Sequence, residues 1–94
     1  MFVVVVEFTA KAAHAEAFRR RVQQQAEDSL NLESECHVFD VCVDPTRAEL
    51  VLLYEVYTDR AAFDAHLASY HFKNFDAQVR DWIADKQVST YDRL

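Results

Sequence analysis

Not one of the 94 residues is glycine. Glycine is the residue that enters the left-handed backbone region without steric cost. Every tight turn must therefore be made by Asn, Asp, Ser or Pro. The Gly-rich loops that cradle phosphates in P-loop and dinucleotide-binding proteins are excluded outright. A chain of this length makes one domain and buries only about two-thirds of its unfolded surface, so its stability margin is thin. Apolar residues are 51% of the sequence and aromatics 13%. That is generous for so small a body, and part of it is expected in a subunit interface or a ligand cavity.

Hydrophobic periodicity divides the chain. Phe2 to Phe8 (FVVVVEF) is β-branched and aromatic, broken only by Glu7, and reads as a strand buried on both faces. Thr9 is placed to cap the helix that follows. Within Lys11 to Leu30, the residues Phe18, Val22, Ala26 and Leu30 recur at four-residue spacing and predict one apolar helical stripe. Polar Asn31 to Glu35 must turn the chain. Cys36 to Val43 is a second strand, Asp44-Pro45-Thr46-Arg47 a turn, and Glu49 to Tyr57 a third strand forming a hairpin with the second. Thr58 or Asp59 caps a helix through Ala61, Phe63 and Leu67, interrupted at Ser69-Tyr70. Phe72, Phe75, Val79, Trp82 and Ile83 predict renewed helix to about Asp85. Val88 to Leu94 is a last strand.

The order βαββαβ predicts an α+β, ferredoxin-like sandwich with strands one and three side by side in the centre. Helices cover one sheet face. Both residue parities of these two strands are apolar, so the other face also needs cover, and pairing of two copies through it is expected. Val3, Val5, Val51 and Leu53 share one parity; Phe2, Val4, Val6, Leu52, Tyr54 and Val56 share the other.

The net charge of −6 argues against nucleic acid and against an anionic membrane surface. Arg19-Arg20-Arg21 fans around a helix instead of forming one patch. Cys36 and Cys42 lie on one strand, about 20 Å of extended chain apart, too far for a disulfide. They read as reduced thiols of a cytoplasmic protein. No stretch is long and apolar enough to span a membrane, and Met1 to Phe8 lacks a basic leader and cleavage site.

Few residues can carry chemistry. Glu7 and Glu55 interrupt apolar strands, where a carboxylate costs several kcal/mol unless paired, hydrogen-bonded or protonated. Matching parity would put both on one sheet face. Each is either a general base or a strand-end group reaching water. His66 and His71 bracket the helix break beside Tyr57, Tyr70 and Phe72, which suits the mouth of a cavity; two solvated surface histidines is the alternative. His37, near Phe39, either lines the same cavity or ends a strand. A metal site from His37, His66, His71 and a carboxylate has no His-x-x-x-His or Cys-x-x-Cys to support it, so no metal is expected. No serine carries the local signature of an activated nucleophile.

Three segments in succession, Cys36–Pro45 (CHVFDVCVDP), Tyr54–Tyr57 (YEVY) and His66–Phe72 (HLASYHF), resemble the antibiotic biosynthesis monooxygenase family. The resemblance runs along nearly the whole chain and makes residues 1–94 a single domain of that type. It implies a ferredoxin-like homodimer, a dimeric α/β barrel, with a hydrophobic cavity in each subunit. It also implies cofactor-independent oxygenation of a small quinol, enol or phenol by O₂. The family includes an isomerase of a phosphorylated quorum-sensing dione, whose phosphate would here find only Lys73 and His71. On this basis His66, Glu55 and His71 are the expected catalytic groups, and Phe39, Tyr57, Phe72 and His37 the expected substrate contacts. No cofactor is implied. A dimeric binding module without turnover is the third reading. Two departures stand out. Ser34-Glu35 replaces the Pro-Gly common before the family's Cys, so that turn is expected to be strained or rearranged. Residues 2–8 lack the Asn, and Asn74 to Asp76 the His, of the haem-degrading branch, which argues against haem degradation.

Overall fold

A computed structural model describes all residues from Met1 to Leu94. Strand β1 (Phe2–Ala10) leads through a short 3-10 turn (Ala12–His14) into helix α1 (Ala15–Leu32). Strands β2 (Cys36–Val43) and β3 (Leu50–Tyr57) form the hairpin. Helices α2 (Arg60–Ala68) and α3 (Tyr70–Val79), a 3-10 turn (Arg80–Trp82) and strand β4 (Ile83–Asp92) complete the chain. The sheet order is β2-β3-β1-β4, and every neighbouring pair is antiparallel. This is the expected ferredoxin-like α+β fold, its second helix broken in two. No helix is long and apolar enough to cross a membrane.

The register decides which side chains share a face. Phe2 lies opposite Tyr57, Val4 opposite Glu55, Val6 opposite Leu53 and Phe8 opposite Val51. Even positions of β1 thus join odd positions of β3 under the helices, where Phe39 joins them from β2 opposite Glu55. Val3, Val5 and Glu7 join Leu52, Tyr54 and Val56 on the open face. Equal parity does not mean an equal face here, because an antiparallel pair shares parity only when the residue numbers of partners sum to an even number. Glu7 and Glu55 accordingly lie on opposite faces: Glu7 is exposed on the open side, Glu55 buried beneath the helices.

Helix α1 departs from its expected stripe at the end. Phe18 and Val22 are fully buried and Ala26 nearly so, but Leu30 is 44% exposed. Four-residue steps overshoot a 3.6-residue turn, so Leu30 has rotated about 120° from Phe18. The inward positions near that end are Gln25 and Ser29, both buried. Thr9 caps nothing; it remains in β1 opposite Leu50. The helix is entered instead through the 3-10 turn at Ala12–His14.

The third helix stops at Val79, not near Asp85. Lys11 N donates to Trp82 O at 2.8 Å, and Ile83 pairs with Ala10, so the chain is drawn into the sheet five residues before the expected Val88. The Asp44 turn forms as read: its Oδ1 accepts from Thr46 N, Thr46 Oγ1 and Arg47 N at 2.8–3.0 Å. These donors hold its carboxyl below the usual carboxylate range. No residue anywhere takes positive φ. The Ser34-Glu35 turn is therefore rearranged, not strained. Glu33 N donates to Ser29 O and Cys36 N to Glu33 O, each at 3.1 Å, and these bonds close the turn without a left-handed residue.

Candidate active site

The site sits between the helix-covered sheet face and the α2–α3 break. Asp59 caps α2 by accepting from Ala62 N at 2.9 Å. Ser69 then ends α2 and begins α3. Its N and Oγ both donate to His66 O, at 3.1 and 2.7 Å, and its Oγ accepts from Phe72 N at 3.2 Å. On either side of this double cap His66 and Phe72 turn to the sheet, while His71 faces the end of α1. A cavity of about 60 Å³ lies there, lined by Gln25 of α1, Phe39, Leu53 and Glu55 of the sheet, Phe63, His66 and Leu67 of α2, and Phe72 of α3, among others. Lys86 and the exposed Val88 of β4 stand at its rim.

His66 is 2% exposed and ringed by aromatic groups. The centroids of Phe72, Tyr57, Phe39 and Phe63 lie 5.1 to 6.1 Å from its own. Its Nδ1 meets Glu33 Oε2 at 2.8 Å, while Nε2 makes no hydrogen bond to the protein. His71 Nε2 lies 2.7 Å from the same oxygen, but its N–H is not aligned with it and makes no hydrogen bond. His71 Nδ1 faces Gln25 Nε2 at 3.2 Å. Gln25 Nε2 also reaches Ser29 Oγ at 3.4 Å, and Gln25 Oε1 is buried without a partner.

Glu55 is the second polar group of the cavity. Burial pushes its carboxyl above the usual range, more than the Tyr57 hydroxyl and His66 pull it down. Tyr57 Oη donates to Glu55 Oε1 at 2.6 Å. Burial, then the charge of Glu55, pushes the phenol upward too. Tyr57 thus anchors Glu55 and is no proton donor to substrate. Cys36 is buried, and burial pushes its thiol up to about 12, so it is no nucleophile.

Of the residues singled out from sequence, His66, Glu55, Phe39 and Phe72 line the cavity. Tyr57 stands behind Glu55, and His71 borders the cavity through Glu33 and Gln25. His37 does not join them. It is exposed and its Nε2 meets Thr58 Oγ1 at 2.7 Å. Position 37 lies at an irregularity in the β2–β3 register that turns the ring away. Sequence reading missed Glu33, Gln25 and Phe63. Glu33 was hidden in a polar turn. Gln25 carried a usable signal, lying one turn from Val22 and two from Phe18 on the buried side. A wider open groove, about 440 Å³, runs past Glu7, Cys42, Asp44 and Asp85, but no buried polar group converges on it.

Comparison with known proteins agrees with the fold. Residues 1–78 match the sequence pattern of the antibiotic biosynthesis monooxygenases. The chain belongs to this family. A Nitrosomonas europaea protein that carries the family name superposes with a TM-score of 0.94 at 27% identity, over 100% of this chain and 99% of that one. The Pseudomonas aeruginosa protein PA3566 does so at 0.90 and 25%, over 99% and 93%. A Deinococcus radiodurans protein, also carrying the family name, gives 0.90 at 20% identity, over 100% and 93%, which is a likeness of fold alone. No curated protein matches the sequence. This member of the antibiotic biosynthesis monooxygenase family keeps the fold with no glycine anywhere in its chain.

Proposed function

We propose that the protein is a cofactor-independent monooxygenase for a small quinol, enol or phenol. The observation that carries the reading is His66: one ring nitrogen is held by the Glu33 carboxylate and the other is free at an apolar cavity. A carboxylate on Nδ1 fixes the tautomer and stabilises the imidazolium that forms when Nε2 takes a proton. The substrate hydroxyl or activated C–H is that proton's source. The resulting carbanion gives electrons to O₂ and forms the new C–O bond. A CH₂ group becomes C=O and the second oxygen leaves as water, so the substrate supplies every electron. Glu55, biased by burial toward its protonated form, donates a hydrogen bond to the developing oxyanion.

The cavity as it stands holds about two waters, whereas benzene has been accommodated in cavities of about 150 Å³. A ring-sized substrate therefore displaces side chains of the lining, to which Leu67 and Phe72 contribute from either side of the helix break. We infer also that two copies associate through the open sheet face. There Val3 and Val56 are already buried, and Val5, Leu52 and Tyr54 remain partly exposed.

The test is oxygen uptake with a panel of quinols, anthrones and hydroxy-diketones, with His66→Ala as control. Uptake lost in the variant supports the oxygenase. Product formed equally well without oxygen would make the protein an isomerase using the same base, and turnover of neither kind would leave a binding module.

A further inference from the structure

Two buried polar atoms near the site make no hydrogen bond, Gln25 Oε1 and His71 Nε2, the latter despite lying 2.7 Å from Glu33 Oε2; a third, on Arg21, is the only other such side-chain atom in the protein. Buried polar atoms are almost always satisfied, so a linked pair of exceptions calls for a cause such as a missing ion. The two are connected: Gln25 meets His71 through Nδ1, and His71 Nε2 points into a cluster with Glu33 Oε2 and His66 Nδ1. These three ligand atoms lie within 4.8 Å of one another. They come from the end of α1, from α2 and from α3, so the backbone fixes their relative placement.

We propose that Glu33, His66 and His71 bind one divalent first-row transition ion of the zinc type. Two imidazoles and a carboxylate are borderline donors suited to such an ion, and a fourth position stays open to water. The ion satisfies both unpartnered atoms together. His71 Nε2 becomes a ligand and its proton moves to Nδ1. Rotation of the Gln25 amide, whose O and N positions are an assignment, then lets Oε1 accept that proton's hydrogen bond. This is the outer support that metal-bound histidines usually have. His66 binds through Nδ1 and carries its proton on Nε2, beside Glu55. Each ring keeps one proton and stays neutral. The contacts of 2.7 and 2.8 Å to Glu33 need to open by roughly half an ångström for bonds of about 2.0–2.1 Å to a central ion.

The inference goes beyond the oxygenase reading and is independent of it. On the oxygenase reading, His66 ligated through Nδ1 would present a protonated Nε2 to the cavity. The test uses the full chain stripped with EDTA. Zn²⁺ is titrated calorimetrically, and Co²⁺ is followed by its visible d–d absorption. One ion per chain is expected, with the intense bands of low-coordinate Co²⁺ bearing nitrogen ligands. His71→Ala and the near-isosteric Glu33→Gln should each weaken binding at least about tenfold, with folding checked by circular dichroism. His37→Ala should leave affinity unchanged. Absence of saturable binding overturns the proposal, as does binding that survives both Glu33→Gln and His71→Ala or is lost in His37→Ala. Neither readout depends on turnover, so the oxygenase reading can fail while the ion still binds, and the reverse.

Discussion

Replacing Glu55 by Gln should make the protein more stable at neutral pH, although it alters a buried, hydrogen-bonded group. The amide keeps the shape and the oxygen that accepts from Tyr57 Oη. What it removes is a titratable group whose folded-state pKa is raised by burial above its ordinary value of 4.5. Between the unfolded and folded pKa the native state holds a proton that the unfolded state has released. Stability then falls as pH rises, by about 1.4 kcal/mol per pH unit for one proton. The contribution of the protonated form is complete below pH 4.5 and is gone once pH passes the folded pKa. The Gln variant lacks this slope. Urea unfolding of both proteins at half-unit steps from pH 4 to 8 gives the difference directly. Groups far from Glu55 cancel in that difference, because distant contributions add. Near pH 4 the two should be close. Above it the variant should gain at about 1.4 kcal/mol per unit until the folded pKa is reached, and then hold a constant lead. Parallel curves would show that Glu55 titrates alike in both states and would refute the account of it as a carboxyl biased by burial.

The other expectations are independent of that one. His66→Ala should lower turnover by about 10²–10⁴-fold in the oxygen-electrode assay, the usual contribution of a general base; near-normal rates would remove it from the mechanism. Phe18→Ala should cost about 3–5 kcal/mol in urea unfolding, because Phe18 is fully buried against Phe8, 5.0 Å away between ring centroids. Ser34→Gly should destabilise by about 0.4–1 kcal/mol, since no residue of that turn uses the freedom glycine adds to the unfolded chain; a gain in stability would mean the turn is strained after all. Leu52→Glu on the open sheet face should shift the mass seen by sedimentation equilibrium from twice the 10.9 kDa chain toward one chain.

The fold was legible because the apolar pattern speaks with two clear periods. The run FVVVVEF and the hairpin around Asp44-Pro45 leave little freedom for the sheet, and the βαββαβ order follows. The misjudged details are those decided by pairing between distant segments. The face of Glu7 depends on the β1–β3 register, which neither strand carries alone. The end of the last helix depends on Ala10 capturing Ile83. At the site, His66, Glu55 and Phe72 could be found because a polar group in an apolar run, or a histidine at a helix break, is conspicuous. Glu33 could not, because a glutamate in a polar turn looks like any solvated one until α2 and α3 fold over it. His37 misled for the converse reason: on a strand, a one-residue irregularity sends a side chain to the other side.

Ser69 gives the cavity a mechanical property that the contact distances alone do not express. Its one hydroxyl is bonded at once to the carbonyl of His66 and to the amide of Phe72. The base and the aromatic wall are thus fastened to the same pivot. Any displacement of Phe72 therefore loads the same hydroxyl that holds the peptide of His66. Cavity wall and candidate base are thus coupled through the joint between two helices, at a residue that does not itself line the cavity.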